Sequence, residues 1–312
     1  VSSLVGYDDS AEAFQARAEA VKADLEEYHK LYDFYEHHDG YFNLYDINQK
    51  AGQGPVKADE RILDLLDFSK SLYERSGGKM NIAMGSVLKI WHDHRTAGIA
   101  VPEKASLPDK KELEEAARHC DPDNLIIDRQ AGTVELKDPE MLLDVGAVAK
   151  GYATEQVARL AEARGEEHLL LSIGGNVRAI GARNAKGEPW RVGVENPEIE
   201  KREQEPNLAI LGMNDYSLVT SGLYERYYVV DGKRYHHIID PETLFPEERF
   251  LQVSVYTKDS GLADGLSTAL FNSDLDAGKA LIESLEDTEA MWVLPDGSQV
   301  KSSGFEALEI KD

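Results

Sequence analysis

The stretch RYYVVDGKRYHHII, residues 226–239, sets two β-prone runs on either side of Asp231-Gly232. Asp-Gly between such runs suits a two-residue turn whose central positions both take positive φ, so the stretch predicts an antiparallel hairpin. AMWVLPDGSQV (290–300) repeats the signal, and LIIDRQAGTVEL (125–136) reads as two strands about a turn. HLLLSIGGNVRAIG, WRVGVEN, LAILGM and YSLVTSG are further strand candidates. Hairpins outnumber any regular alternation of strand and helix, which predicts an α+β fold over a doubly wound parallel sheet.

Between and before these strands the apolar residues recur at helical period. Over 11–36, Phe14, Val21, Leu25, Tyr28, Leu31 and Tyr35 fall three, four and seven apart, with Asp9 and Glu12 forming a capping-box-like start. YFNLYDINQKAGQGP (41–55) reads as a loop with a short apolar stretch. A second helix over 58–75 turns Ile62, Leu65, Leu66 and Leu72 inward and is stopped by SGG at 76–78. KASLPDKKELEEAARHC (104–120) gives a short charged helix, and others are predicted at 150–163, 262–271 and 275–285. With no repeat, low-complexity tract or long linker, residues 1–312 read as one domain of two interleaved lobes.

Composition narrows the function. The 312 residues carry 58 acidic against 34 basic side chains, a net charge of −24, with 42% hydrophobic content. That balance makes a solvated acidic surface and excludes a general nucleic-acid-binding role, which needs a basic face. Any phosphate site must therefore be preorganised locally. Cys120 is the single cysteine, which excludes an internal disulfide and a Cys-based zinc site. No apolar run is long enough to cross a bilayer and no signal peptide is visible. VSSLVGYDDS (1–10) opens as if in mid-strand, as it would after removal of an N-terminal address or anchor.

Five stretches can carry chemistry. LLDVGAVAKGYATEQVARLAE (142–162) is an apolar strand ending at Asp144, a Gly/Ala turn, and an amphipathic helix with Lys150 and Gly151 in its first turn. A helix start is electropositive and suits an anion. Its spacing is neither that of a Walker loop nor that of the dinucleotide fingerprint; Lys150 reads either as a surface lysine or as a phosphate partner. In DSGLADGLSTALF (259–271), Asp264 and Thr268 lie four apart on one helical face, hard oxygen donors suited to Mg²⁺ or simply a cap and a back-bonding hydroxyl. In YHHIIDPETLFPEE (235–248), His236 and His237 alternate across a strand, so that one faces in, either as a proton acceptor or as a histidine satisfied by backbone. The Gly pair of SIGGNVRAIG (172–181) and the hydroxyls of TSGLYERYY (220–228) mark either turns or places of close ligand approach.

Taken in order, these stretches resemble the ApbE family, the FAD:protein FMN transferases. DVGAVAKGYA is similar to the family's Asp, small-residue turn, Ala-Lys-Gly-Tyr-Ala; SIGGNVRAIG to its Gly-Gly-Asn/Asp strand; TSGLYER to Thr-Ser-Gly-x-Tyr-x-Arg; HIIDP to His-Ile-Ile-Asp-Pro; and ADGLSTALF to its Ala-Asp-Ala/Gly-x-Ser-Thr-Ala helix. The match runs from about Val5 onward. Asn81 stands where the family has Asp, PETLFPEE lacks the family's Thr-Gly-x-Pro turn, and an early Met-Gly-Thr strand is absent.

The resemblance implies a bilobed α+β fold with mixed or antiparallel sheets flanked by helices and FAD in a cleft between lobes. It implies Mg²⁺ held by Asp264, Thr268 and the carbonyl of Ala147, with Asp144 and Lys150 on the flavin nucleotide. Tyr35, the segment Lys79, Met80 and Asn81, and Ile238 are implied as further cofactor contacts. The implied reaction moves FMN from FAD to a threonine hydroxyl of a target flavoprotein and releases AMP, His237 taking the hydroxyl proton. An FAD pyrophosphatase and a non-catalytic FAD-binding protein are the alternatives. Targets would be subunits of membrane redox complexes or secreted flavoproteins, and the setting extracytoplasmic, on a lipid-anchored bacterial protein.

Overall fold

The structure, a computed structural model, describes every residue except Val1, Asp8, Asp9, Glu225 and Asp312. The chain divides into two compact units interleaved along the sequence: Val1–Tyr28, Val148–Gly222 and Glu248–Asp312 form the first, His29–Ala147 and Leu223–Glu247 the second.

The first unit is built on a seven-stranded sheet in the order Ser2–Gly6, Leu169–Ile173, Asn176–Ile180, Ser217–Gly222, Gln252–Thr257, Glu289–Val293 and Gln299–Lys301, every pair antiparallel. HLLLSIGGNVRAIG is two strands, not one. Ile173 pairs with Asn176 across Gly174 and Gly175, at φ 52° and 90°, so the two glycines form the tight turn that only positive φ at both positions allows. Trp190–Glu195 pairs with Asn207–Met213, and Trp190, Val194, Leu211 and Met213 pack with Met291 and Phe305 in one core. Helices Ala149–Ala163, Ser260–Phe271 and Leu275–Glu283 and most of helix Ala11–Tyr32 belong to the same unit. Ser260–Phe271 is apolar nearly all round, and ten of its twelve residues are buried, which makes it a core helix rather than a surface one.

In the second unit, helices Leu44–Asn48, Glu60–Arg75, Gly85–Ala100 and Lys110–Ala117 accompany a small sheet in the order Val56–Lys57, Thr133–Leu136, Leu125–Asp128. The hairpin Tyr227–Val230 with Lys233–His236 turns at Asp231 and Gly232, φ 50° and 80°, as its residues predict. Met84, Val87, Trp91, Leu113, Tyr228, Val230 and Ile239 share a core.

Local signals explain where expectation and structure part. The first helix, Ala11–Tyr32, ends four residues early because the Asp33 carboxylate turns back to accept the N–H groups of Tyr35 and Glu36. At its start Ser10 Oγ accepts the N–H of Ala13; Asp9 of the expected capping box lies outside the described residues. The predicted loop at 41–55 holds helix Leu44–Asn48, closed by a reciprocal Asn43/Asp46 capping box. At the place of the Thr-Gly-x-Pro turn the chain has Thr243-Leu244-Phe245-Pro246, without the glycine. Leu244 takes φ 62°, a left-handed conformation that costs a non-glycine residue about 1–2 kcal/mol.

Candidate functional site

The chemistry-bearing residues fall into two sets, one in each unit. In the first unit, Asp264 sits one turn into helix Ser260–Phe271 and is 6% exposed. Its Oδ2 accepts the Gly151 N–H at 2.7 Å, one of the first-turn donors that have no partner within helix Ala149–Ala163. The anion that the electropositive helix start calls for is thus supplied from within the chain. Lys150 beside it donates Nζ to the Gly174 carbonyl at 2.8 Å and to Asn176 Oδ1 at 2.5 Å. The Gly-Gly turn therefore has a second use, aiming a carbonyl at the lysine. The buried Nδ2 of Asn176 leans on Asp264 without a hydrogen bond of good geometry.

Burial raises the Asp264 carboxyl above the usual carboxylate range even though Lys150, the Gly151 N–H and Asn176 all favour its charged form. Thr268, half-buried, follows one helical turn later. A carboxylate short of positive charge beside a hydroxyl is an all-oxygen set that a hard divalent cation fits. Glu155 fixes the helix that carries it: buried, it accepts Arg178 Nε and the Ser260 N–H through Oε2, both at 3.0 Å.

Gly151 is the close-approach point of these two helices. A Cβ built there would stand 2.3 Å from the Ser260 carbonyl oxygen and 2.4 Å from Asp264 Cβ. Gly151→Ala is expected to push the helices apart at a cost of about 1–3 kcal/mol, read as a lower urea midpoint at unchanged m-value.

In the second unit, Tyr35 presents a 58% exposed ring between Phe34 and His92, at centroid distances of 4.3 and 5.2 Å. Arg95 donates to His92 Nδ1 at 3.1 Å. Burial pushes the Asp144 carboxyl up to about 6, against the lowering effects of the Gly146 N–H, bound at 2.8 Å, and of Arg95 and Arg226. For a carboxyl raised in this way, the stability it supports is full below the ordinary value of 3.8 and is lost as pH rises through 6. Asp144→Asn, which keeps an acceptor for Gly146, is expected to add on the order of 1–3 kcal/mol at pH 8 and nothing at pH 4. Paired thermal melts at the two pH values check this.

The adjacent histidines differ by tautomer. His236 is buried, donates Nε2–H to the Glu247 carbonyl and accepts the Ile238 N–H at Nδ1, so both nitrogens are engaged. His237 is half-buried and has its Nδ1 3.3 Å from the Arg226 carbonyl, which can only accept, so Nδ1 carries the proton and Nε2 keeps its lone pair. Burial, then Arg226, pushes His237 down to about 3. Ile238 is buried beside it.

Lys79 and Asn81 line a separate pocket of about 420 Å³ with Tyr73, Cys120, Glu242 and Leu244; Tyr35, Asp144 and His237 do not line it. Lys79 pairs with Glu242 at 2.7 Å. Met80 is 1% exposed, so only its backbone can reach a ligand. Asn81 donates Nδ2 to the Cys120 carbonyl and accepts the Ala83 N–H. An aspartate in its place would set a carboxylate against that carbonyl, which accounts for the amide here. Ala147 lies half-buried in the turn ahead of helix Ala149–Ala163.

The ApbE family matches residues 3–292. The chain belongs to this family. A protein of Treponema pallidum (strain Nichols) named FAD:protein FMN transferase is 34% identical over 274 residues, covering 83% of this chain and 72% of its own. One of the same name from Klebsiella pneumoniae (strain 342) is 32% identical, over 83% of this chain and 77% of its own. Among solved structures, the ApbE protein of Thermotoga maritima superposes with a TM-score of 0.84 at 26% identity, covering 99% of this chain and 94% of that one. The flavin transferase ApbE of Vibrio cholerae gives 0.78 at 26% identity, covering 97% and 91%. The ApbE fold expected from the motifs, α+β with antiparallel sheets, is the fold observed.

Sequence reasoning missed His92 and Arg95, which lie on helix Gly85–Ala100, and the Glu155–Arg178 pair. Glu155 was accessible as the charged residue on the inward face of a predicted amphipathic helix.

Proposed function

We propose that this chain transfers FMN from FAD to a threonine hydroxyl of an acceptor protein and releases AMP, as an enzyme of the transferase class. Its relatives carry the name FAD:protein FMN transferase, and the observation that carries the reading to this chain is the buried Asp264 carboxylate bound to the start of the Lys150 helix. In this reaction the threonine oxygen attacks the flavin-side phosphorus, the bond from that phosphorus to the bridging oxygen breaks, and AMP departs with that oxygen. His237 Nε2, the ring nitrogen that keeps its lone pair, takes the hydroxyl proton. Lys150 has three N–H donors, two of them spent on Gly174 and Asn176, and offers the third to a phosphate oxygen. Tyr35 and Asp144 take the flavin nucleotide, with Lys79, the Met80 backbone, Asn81 and Ile238 as further contacts.

Asp264, Thr268 and the Ala147 carbonyl would hold Mg²⁺. The chemistry a bound Mg²⁺ supplies is neutralisation of charge on the pyrophosphate. The acceptor is a flavoprotein of a membrane redox complex or a secreted one. An extracytoplasmic, lipid-anchored setting rests on the family resemblance; no described helix is long and apolar enough to cross a membrane.

The test strips the protein with EDTA, adds FAD and an acceptor-threonine peptide, and follows AMP by chromatography. AMP is expected only after Mg²⁺ is restored. AMP formed at full rate in EDTA would remove the metal from the proposal.

A further inference from the structure

The last turn of helix Ala11–Tyr32 and the turn beyond it gather two imidazoles and a carboxylate. One ligand atom each from His29, Asp33 and His38 lie within 4.8 Å of one another. His29 and Asp33 are four apart, joined by the Asp33 N–H to the His29 carbonyl at 3.0 Å. The chain then doubles back so that His38 Nε2 reaches Asp33 Oδ2 at 2.9 Å, and the rings of His29 and His38 stand edge to face with centroids 5.5 Å apart. Asp33 Oδ1 accepts the N–H groups of Tyr35 and Glu36 at 2.8 and 3.2 Å, which orients Oδ2 toward the imidazoles. None of the three residues has a role in the transfer chemistry above.

We propose that His29, Asp33 and His38 form a binding site for a transition-metal ion of the Zn²⁺ class, distinct from the all-oxygen set at Asp264. Two imidazole nitrogens select Zn²⁺, Co²⁺ or Ni²⁺ and are poor partners for Mg²⁺. Three protein ligands leave a tetrahedral ion one corner for water. The backbone N–H groups on Asp33 Oδ1 serve as the outer hydrogen bonds that hold a ligating carboxylate in place. His29 is exposed, and its ligand atom already stands within 4.8 Å of the other two. The ion would replace the proton shared between His38 and Asp33 and clip the turn that begins with Phe34 and Tyr35 onto the helix end.

Co²⁺ is the probe, titrated into the metal-stripped 312-residue chain while its visible ligand-field absorption is followed. Wild type and Asp264→Asn are expected to bind one equivalent with the same bands, which Zn²⁺ displaces. His29→Ala, at an exposed position that leaves the fold intact, and His38→Asn, which keeps a donor for Asp33, are each expected to weaken binding at least about tenfold. Undiminished bands in both histidine variants, or no saturable equivalent in wild type, would overturn the site. Loss of the bands only in Asp264→Asn would assign the ion to the oxygen set instead.

Discussion

Asp264→Asn is expected to lower FMN transfer about a thousandfold while leaving the protein as stable as wild type or more so. The amide still accepts the Gly151 N–H, so the contact between the two helices survives. What disappears is a charge that burial disfavours, and removing it relieves the native state. A bound divalent ion contributes several kcal/mol to stabilising a phosphoryl-transfer transition state, and each 1.36 kcal/mol is tenfold in rate. Initial rates of AMP release beside thermal melts separate the two effects. Retained activity in this variant removes Asp264 from the chemistry, and a large loss of stability makes its role structural.

The second large effect is expected at His237. Its replacement by asparagine keeps a donor for the Arg226 carbonyl but removes the basic nitrogen, so kcat should fall about 10²–10⁴-fold with little change in KM for FAD. Because the folded-state value is pushed down to about 3 from 6.5, the imidazole is neutral from about pH 5 upward, and wild-type kcat should show no acid limb from this group there. The stability it supports is present above 6.5 and is lost as pH falls toward 3. His236→Asn serves as the contrast: both of its nitrogens are hydrogen-bonded within the fold, so its loss should appear in stability before kcat.

The parts legible in the sequence are those whose physics is local. Asp231-Gly232 announces its turn because few other residues accept positive φ at both positions, whereas Gly174-Gly175, set inside a continuous apolar run, leaves a turn and a close ligand approach equally open. Lys150 next to Gly151, and Asp264 four before Thr268, are spacings that a helix converts directly into geometry. Helix Gly85–Ala100 was not legible. It opens on one glycine and carries Gly98 near its end, with Val, Ile and Thr inside, all poor helix formers. Both glycines serve long-range packing: a Cβ at position 85 would meet the Leu142 carbonyl oxygen at 2.4 Å, and one at 98 the Tyr228 ring at 2.8 Å. With that helix unseen, His92 and Arg95 had no place beside Tyr35. Leu244 is the converse case, where a turn usually written with glycine persists without it because Trp91 Nε1 donates to its carbonyl and the surrounding core holds the loop.

The most direct measurement of what this chain does is the intact mass of an acceptor peptide after incubation with FAD and Mg²⁺, beside the same peptide with its threonine replaced by valine. The threonine peptide should gain one FMN moiety for each AMP released, and the valine peptide should remain unmodified with AMP release suppressed. Equal AMP and free FMN from both incubations, with neither peptide modified, would contradict transfer and make the protein a hydrolase of FAD.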